Sequence, residues 1–116
     1  MFKKLRTVVY HVNDLAAAKA WYIKATGTEP YFDEAFYAGF NINGFELGLD
    51  PDMTGVTAGN QCYPFWSVDD LDAVIRKLTA IGGELTQPKT NVGGLTFVAT
   101  VRDPFGNYIG LIEGAD

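Results

Sequence analysis

The sequence is poor in the residues that build covalent staples and metal centres. Among its 116 residues there is one cysteine, Cys62, and one histidine, His11. A single thiol excludes an intramolecular disulfide and a cysteine-based zinc cluster within one chain. Cys62 therefore reads as a small buried hydrophobe. Basic residues are also scarce: nine Lys and Arg, scattered along the chain, stand against fourteen acids, for a net charge of −5. That balance argues against binding a phosphate backbone, so nucleic acid is not an expected partner. No run reaches the ~18 apolar residues that span a bilayer, and membrane is not an expected partner either. The N-terminal Met1-Phe2-Lys3-Lys4-Leu5 is basic, but no apolar signal core follows it, which points to the cytoplasm. Nucleophile elbow, phosphate loop and HExxH patterns are all missing, and Gly39, Gly44 and Gly48 do not form a dinucleotide fingerprint.

What is present suits an ordinary globule. Hydrophobic residues make up 47% of the chain and charged residues 20%, and a chain of this length removes roughly 65% of its extended surface from water without staples. The organising stretch lies near the C-terminus. Asp103-Pro104-Phe105-Gly106 is a turn, with proline fixing φ and glycine allowing positive φ, and it releases the chain into an alternating run. Gly106-Asn107-Tyr108-Ile109-Gly110-Leu111 matches Gly44-Phe45-Glu46-Leu47-Gly48-Leu49 at an offset of 106 − 44 = 62. Val68-Asp69-Asp70-Leu71-Asp72-Ala73 matches Val12-Asn13-Asp14-Leu15-Ala16-Ala17 at an offset of 71 − 15 = 56, and Gly27 and Gly83 keep that spacing. Two copies in the same order indicate a duplicated supersecondary unit rather than a solenoid.

Each copy reads as βαβββ. Residues 5–12 are rich in β-branched side chains, and Asn13 or Asp14 caps a helix carrying Leu15, Ala18, Trp21, Tyr22 and Ala25 up to Gly27. Three strands follow over residues 29–50, with Asn43-Gly44 as a two-residue hairpin turn between the last two. Pro51 opens a linker over residues 51–60. The second copy starts at Tyr63. Asp69 or Asp70 caps a helix with Leu71, Val74, Ile75, Leu78 and Ile81 that stops at Gly82-Gly83. Strands over residues 84–87, 96–102 and 108–113 complete it, with a turn over residues 91–94.

These motifs resemble the vicinal oxygen chelate superfamily, which includes glyoxalase I, extradiol dioxygenases and the bleomycin- and fosfomycin-resistance proteins. The resemblance covers nearly the whole chain. It rests on Val12-x-Asp14-Leu15 before an aromatic-rich helix ending at Gly27, on Ser67-Val68-Asp69-Asp70 before the second helix, and on Asp103-Pro104-x-Gly106-Asn107 before the last strand. It implies an α+β fold in which two βαβββ units form a cupped, mixed or antiparallel sheet with helices outside. Residues 1–116 are then a single glyoxalase/bleomycin-resistance-like domain, with unit one at 1–50, the linker at 51–60 and unit two at 61–116. It also implies a homodimer, since family members of this size pair and an open sheet edge needs cover.

In the metal-using relatives, up to four residues projecting into the cup hold a divalent ion, which requires His, Glu, Asp or Gln. The resemblance places these positions at Thr7, Gly48, Tyr63 and Gly110, and none is a first-choice ligand. Neither metal nor cofactor is therefore expected. By alternation Val9, His11, Glu46, Asp50, Phe65, Ser67, Tyr108 and Ile112 share the inward face, while Val8, Tyr10, Leu47, Leu49, Trp66, Ile109 and Leu111 face the helices. Thr7, Val9, Glu46, Gly48, Tyr63, Phe65, Tyr108 and Gly110 thus become the candidate ligand-binding set, with the two glycines making room between aromatic walls. The alternative is that the glycines mark bends and the aromatics fill space.

Glu46 is the candidate acid or base: if the cup is apolar, desolvation favours its protonated form, while an exposed rim position is equally compatible with the sequence. Asp50 ends its strand and reads as a rim residue. His11 lies beside the helix cap, where a structural hydrogen bond is the expected role. Asp69, Asp70 and Asp72 are helix-terminal carboxylates. Arg102, which the repeat equates with Phe40, stays outside the site. Two functions follow. One is a metal-free protein binding a small, partly planar organic molecule, as the drug-resistance members do. The other is a glyoxalase-, isomerase- or dioxygenase-like enzyme using Glu46 and a displaced metal, so the sequence leaves turnover open.

Overall fold

The computed structural model describes residues 1–56 and 63–114. The reading of Cys62 and the latter part of the linker, residues 57–60, lie outside them. The chain divides into two compact units, Met1–Val56 and Thr57–Asp116. The first contains β1 (Thr7–His11), α1 (Leu15–Thr26), β2 (Phe32–Glu34), β3 (Tyr37–Ile42) and β4 (Phe45–Asp50). The second contains β5 (Phe65–Val68), α2 (Leu71–Ala80), β6 (Glu84–Gly93), β7 (Thr96–Arg102) and β8 (Tyr108–Glu113). Each is βαβββ, and the fold is α+β. The sheets have the orders β1-β4-β3-β2 and β5-β8-β7-β6. In each, the first and last strands of the unit run parallel, because the helix provides the crossover, and the hairpin-linked strands run antiparallel.

The helix boundaries follow from their caps. Asp14 accepts from the Ala17 N–H at 3.0 Å, and Gly27 closes α1 with φ of 69°, a left-handed conformation that costs glycine nothing. Asp70, rather than Asp69, caps α2 by accepting from the Ala73 N–H at 3.1 Å. Asn43 and Gly44 both take positive φ between β3 and β4, as a turn matched to strand twist requires. The helix-covered faces are apolar: Val12, Phe40, Leu47 and Leu49 are fully buried in the first unit with Ala18, Trp21 and Tyr22 of α1 above them. In the second unit Ala99, Val101, Ile109 and Leu111 are buried with Leu71 and Leu78. Val74 and Ile75 of α2, Val8 and Trp66 are half-buried.

Two readings change. β6 continues past Gln87 to Gly93, straight through Pro88. As the edge of its sheet it tolerates a residue that cannot donate, and its ladder slips between Gln87 and Thr90. The second concerns Arg102. Its partner in β8 is Tyr108, whereas Asn41 is the partner of Glu46. The hairpin around Asp103-Pro104-Phe105-Gly106-Asn107 is one residue longer than the Asn43-Gly44 hairpin, since 108 − 102 = 6 and 46 − 41 = 5. Arg102 is therefore equivalent to Asn41, not Phe40. One residue of slip moves it to the face away from the helix.

Candidate functional site

In the first unit the sheet face turned away from α1 carries Thr7, Val9 and His11 opposite Glu46, Gly48 and Asp50. Glu46 is its chemical centre. The Tyr37 hydroxyl donates to Oε2 at 2.5 Å, and the Tyr31 hydroxyl donates to Oε1. Both carboxylate oxygens thus receive a phenol proton. Tyr31 reaches there because its backbone N–H donates to the Gly39 carbonyl at 2.9 Å, and its ring lies against the hydrogen face of Gly39, where a Cβ would meet it at 3.2 Å. Tyr37 lies across Gly48. Phe32 packs edge-on against Tyr37 and Phe36, with centroids 6.1 and 5.9 Å apart.

The two hydrogen bonds, Tyr31 first and Tyr37 second, hold the Glu46 carboxyl below its ordinary value against an opposing effect of burial, with a smaller push from Arg6. The tyrosines move the other way. Burial and the bond to Glu46 raise Tyr37 strongly, and the bond to Glu46 raises Tyr31. The condition for a protonated Glu46, an apolar cup, is not met: two phenols donate to the carboxylate and favour its charged form.

In the second unit the corresponding face is aromatic. Tyr63 stacks obliquely on Phe65 and Tyr108, with centroids 5.6 and 5.9 Å away. Gly110 lies opposite Phe65 and Thr100. Thr100, though polar, is buried on this face, and its hydroxyl donates to the Gln87 side-chain oxygen at 3.4 Å. Arg102 pairs with Glu84 and stands opposite Tyr108 across the ladder.

The predicted positions therefore fall into two groups, each within its own unit: Thr7, Val9, Glu46 and Gly48, and Tyr63, Phe65, Tyr108 and Gly110. The pairing Val9–Gly48 and Phe65–Gly110 reproduces both repeat offsets, 65 − 9 = 56 and 110 − 48 = 62. The reason given for the glycines does not survive. A Cβ on Gly48 would lie 1.9 Å from the Tyr37 hydroxyl, and one on Gly110 would lie 2.6 Å from the Pro64 carbonyl oxygen and 2.8 Å from the Phe65 ring. Protein atoms already occupy the space that these glycines provide. His11 takes the structural role expected of it, with Nδ1 donating to the Asp52 carbonyl at 2.7 Å.

Tyr31 and Tyr37 were missed. A signal existed in the facing pair Gly39–Gly48, because bare glycines on adjacent strands invite a nearby aromatic ring to cover them. The family's metal site also fails a direct test. Thr7, Gly48, Tyr63 and Gly110 offer no carboxylate or imidazole, the space at both glycines is filled, and among the described residues no three of His, Cys, Asp and Glu are gathered to hold an ion.

The family model for the glyoxalase/bleomycin resistance protein/dioxygenase superfamily matches residues 4–111. The chain belongs to that superfamily. Its fold is similar to a family enzyme from Burkholderia phytofirmans, with TM-score 0.82, 17% identity, and 96% of this chain and 98% of that one covered. A genomically encoded fosfomycin resistance protein from Listeria monocytogenes aligns with TM-score 0.82 at 17% identity, covering 99% and 96%. A lactoylglutathione lyase from Agrobacterium tumefaciens aligns with TM-score 0.74 at 19% identity, covering 96% and 93%. No curated protein matches the sequence.

Proposed function

We propose that this protein binds a small organic molecule on the sheet faces turned away from its helices, and that it does so without a resident metal. The observation carrying this reading is that no family position carries a first-choice metal ligand and that aromatic rings lie at or over three of them: Tyr63 itself, Tyr37 over Gly48, and Phe65 over Gly110, with Tyr108 beside Tyr63. Aromatic walls with a few fixed polar groups suit an organic ligand. A protein of similar fold from Listeria is a fosfomycin resistance protein, which supports a small organic molecule as the class of ligand. A broad panel of aromatic metabolites, read by thermal shift and by protection of Tyr63 and Tyr108 from chemical modification, tests it. Binding should raise the melting temperature and protect at least one of the two tyrosines. A uniformly negative panel overturns the reading.

The competing reading is an enzyme with Glu46 as proton acceptor. Its support is that Glu46 is held ionised. Its weakness is that the same two phenols lower the basicity a general base needs. Stoichiometric zinc, nickel, manganese or iron in protein purified without chelator would favour the enzyme.

A further inference from the structure

The ligand chemistry of the first unit follows from a count of donors and acceptors. Tyr31 and Tyr37 each have one hydroxyl proton, and each is committed to Glu46. An ionised carboxylate has no proton to give. Outward from this cluster there remain the unused lone pairs of two phenol oxygens and of the carboxylate, which can only accept. Around them stand aromatic π faces, negative at their centres: Tyr31 is 62% and Phe36 66% exposed, with Phe32 between Phe36 and Tyr37. Asp50 is near enough to add negative field at Tyr37. Arg6, the nearby cation, makes the smallest of the contributions at Glu46. A net charge of −5 draws cations toward the molecule as a whole.

We infer that this face takes a protonated nitrogen base carried on an aromatic or other apolar body, its N–H groups donating to Glu46, Tyr31 and Tyr37 and its body lying against Phe32 and Phe36. The inference rests on the small-molecule-binding reading and narrows it for one face. An anion would meet the Glu46 carboxylate and two phenols whose protons are committed, with Arg6 as the one cation acting there among the described residues, and a neutral alcohol would forgo the charge-assisted bond and the cation–π contact.

Three probes of similar size separate these cases: phenethylamine, 2-phenylethanol and 3-phenylpropionate, each titrated into isotopically labelled protein and followed by amide NMR. Phenethylamine should shift the amides of Gly39, Glu46 and Gly48 and bind about tenfold or more tightly than either other probe, the worth of one charge-assisted hydrogen bond. Glu46→Gln should reduce its affinity about tenfold, and Tyr37→Phe, which keeps the ring, should weaken it less. Equal binding of the three probes, or shifts confined to Phe65, Tyr108 and Gly110 and indifferent to Glu46→Gln, would overturn the cation assignment while leaving small-molecule binding intact. Absence of binding by all three would overturn the cation assignment, and the small-molecule reading would fall with it only if the broad panel is negative too. A dimer that Tyr37→Phe or Glu46→Gln converts to monomer in light scattering would assign this face to a second copy and likewise overturn the inference.

Discussion

At the residue scale the two central glycines are required by close contacts of different kinds, and the kinds predict different outcomes. At Gly110 the intruding Cβ meets a backbone carbonyl, that of Pro64, which also accepts the Gly110 N–H at 2.9 Å. Backbone cannot step aside, so Gly110→Ala should cost roughly 1–3 kcal/mol in urea denaturation, as overpacking does, where an ordinary strand glycine would gain up to about 1 kcal/mol. At Gly48 the obstacle is the far end of the Tyr37 side chain, which can swing away. Gly48→Ala should therefore cost less stability than Gly110→Ala but break the bond to Glu46, and carboxyl NMR should find the Glu46 pKa raised toward its ordinary value. Glu46 also predicts a pH effect. Its folded value lies below the ordinary 4.5, so its contribution is complete above the unfolded value and is lost as pH falls through the folded one. Acidification below about 4.5 should thus destabilise wild type more than Glu46→Gln, as measured by melting temperature against pH.

At the scale of elements, short polar segments set helix starts and strand register. Asp70 is exposed and satisfies one N–H of α2, so Asp70→Ala should cost about 1 kcal/mol. Asp103 is 3% exposed, and its Oδ1 accepts from the N–H groups of both Phe105 and Asn107, at 2.9 and 2.8 Å. Its removal would leave two half-buried donors without their partner, a cost of up to roughly 1–3 kcal/mol each. Asp103→Ala should accordingly destabilise more than Asp70→Ala in the same denaturation series. The turn that Asp103 holds is also the one whose extra residue sends Arg102 to the face shared with Tyr108. Register in the second hairpin thus decides which charged groups stand beside the aromatic triad.

At the scale of the whole molecule, each unit is a βαβββ sheet with a single helix, and strand edges remain at β1, β2, β5 and β6. Of these only β6, at ten residues, is a long edge; if it recruits a second copy, light scattering should find twice the monomer mass, and a monomer at concentrations well above cellular ones would remove that expectation. The sequence by itself determined the duplication, the hairpins, which residues of β1, β4, β5 and β8 share a face, and where each helix starts to within one residue, because strand alternation and cap chemistry are local and periodic; the structure chose Asp14 over Asn13 and Asp70 over Asp69. The sequence did not determine what fills the space above Gly48 and Gly110, nor that Tyr31 and Tyr37 meet on Glu46, nor the face of Arg102. Those depend on cross-strand register and on where a long side chain swings once its neighbours are in place. Glu46 was found from its strand position, yet its ionisation was decided by two tyrosines 15 and 9 residues away in sequence. Only the folded sheet brings their protons to its oxygens.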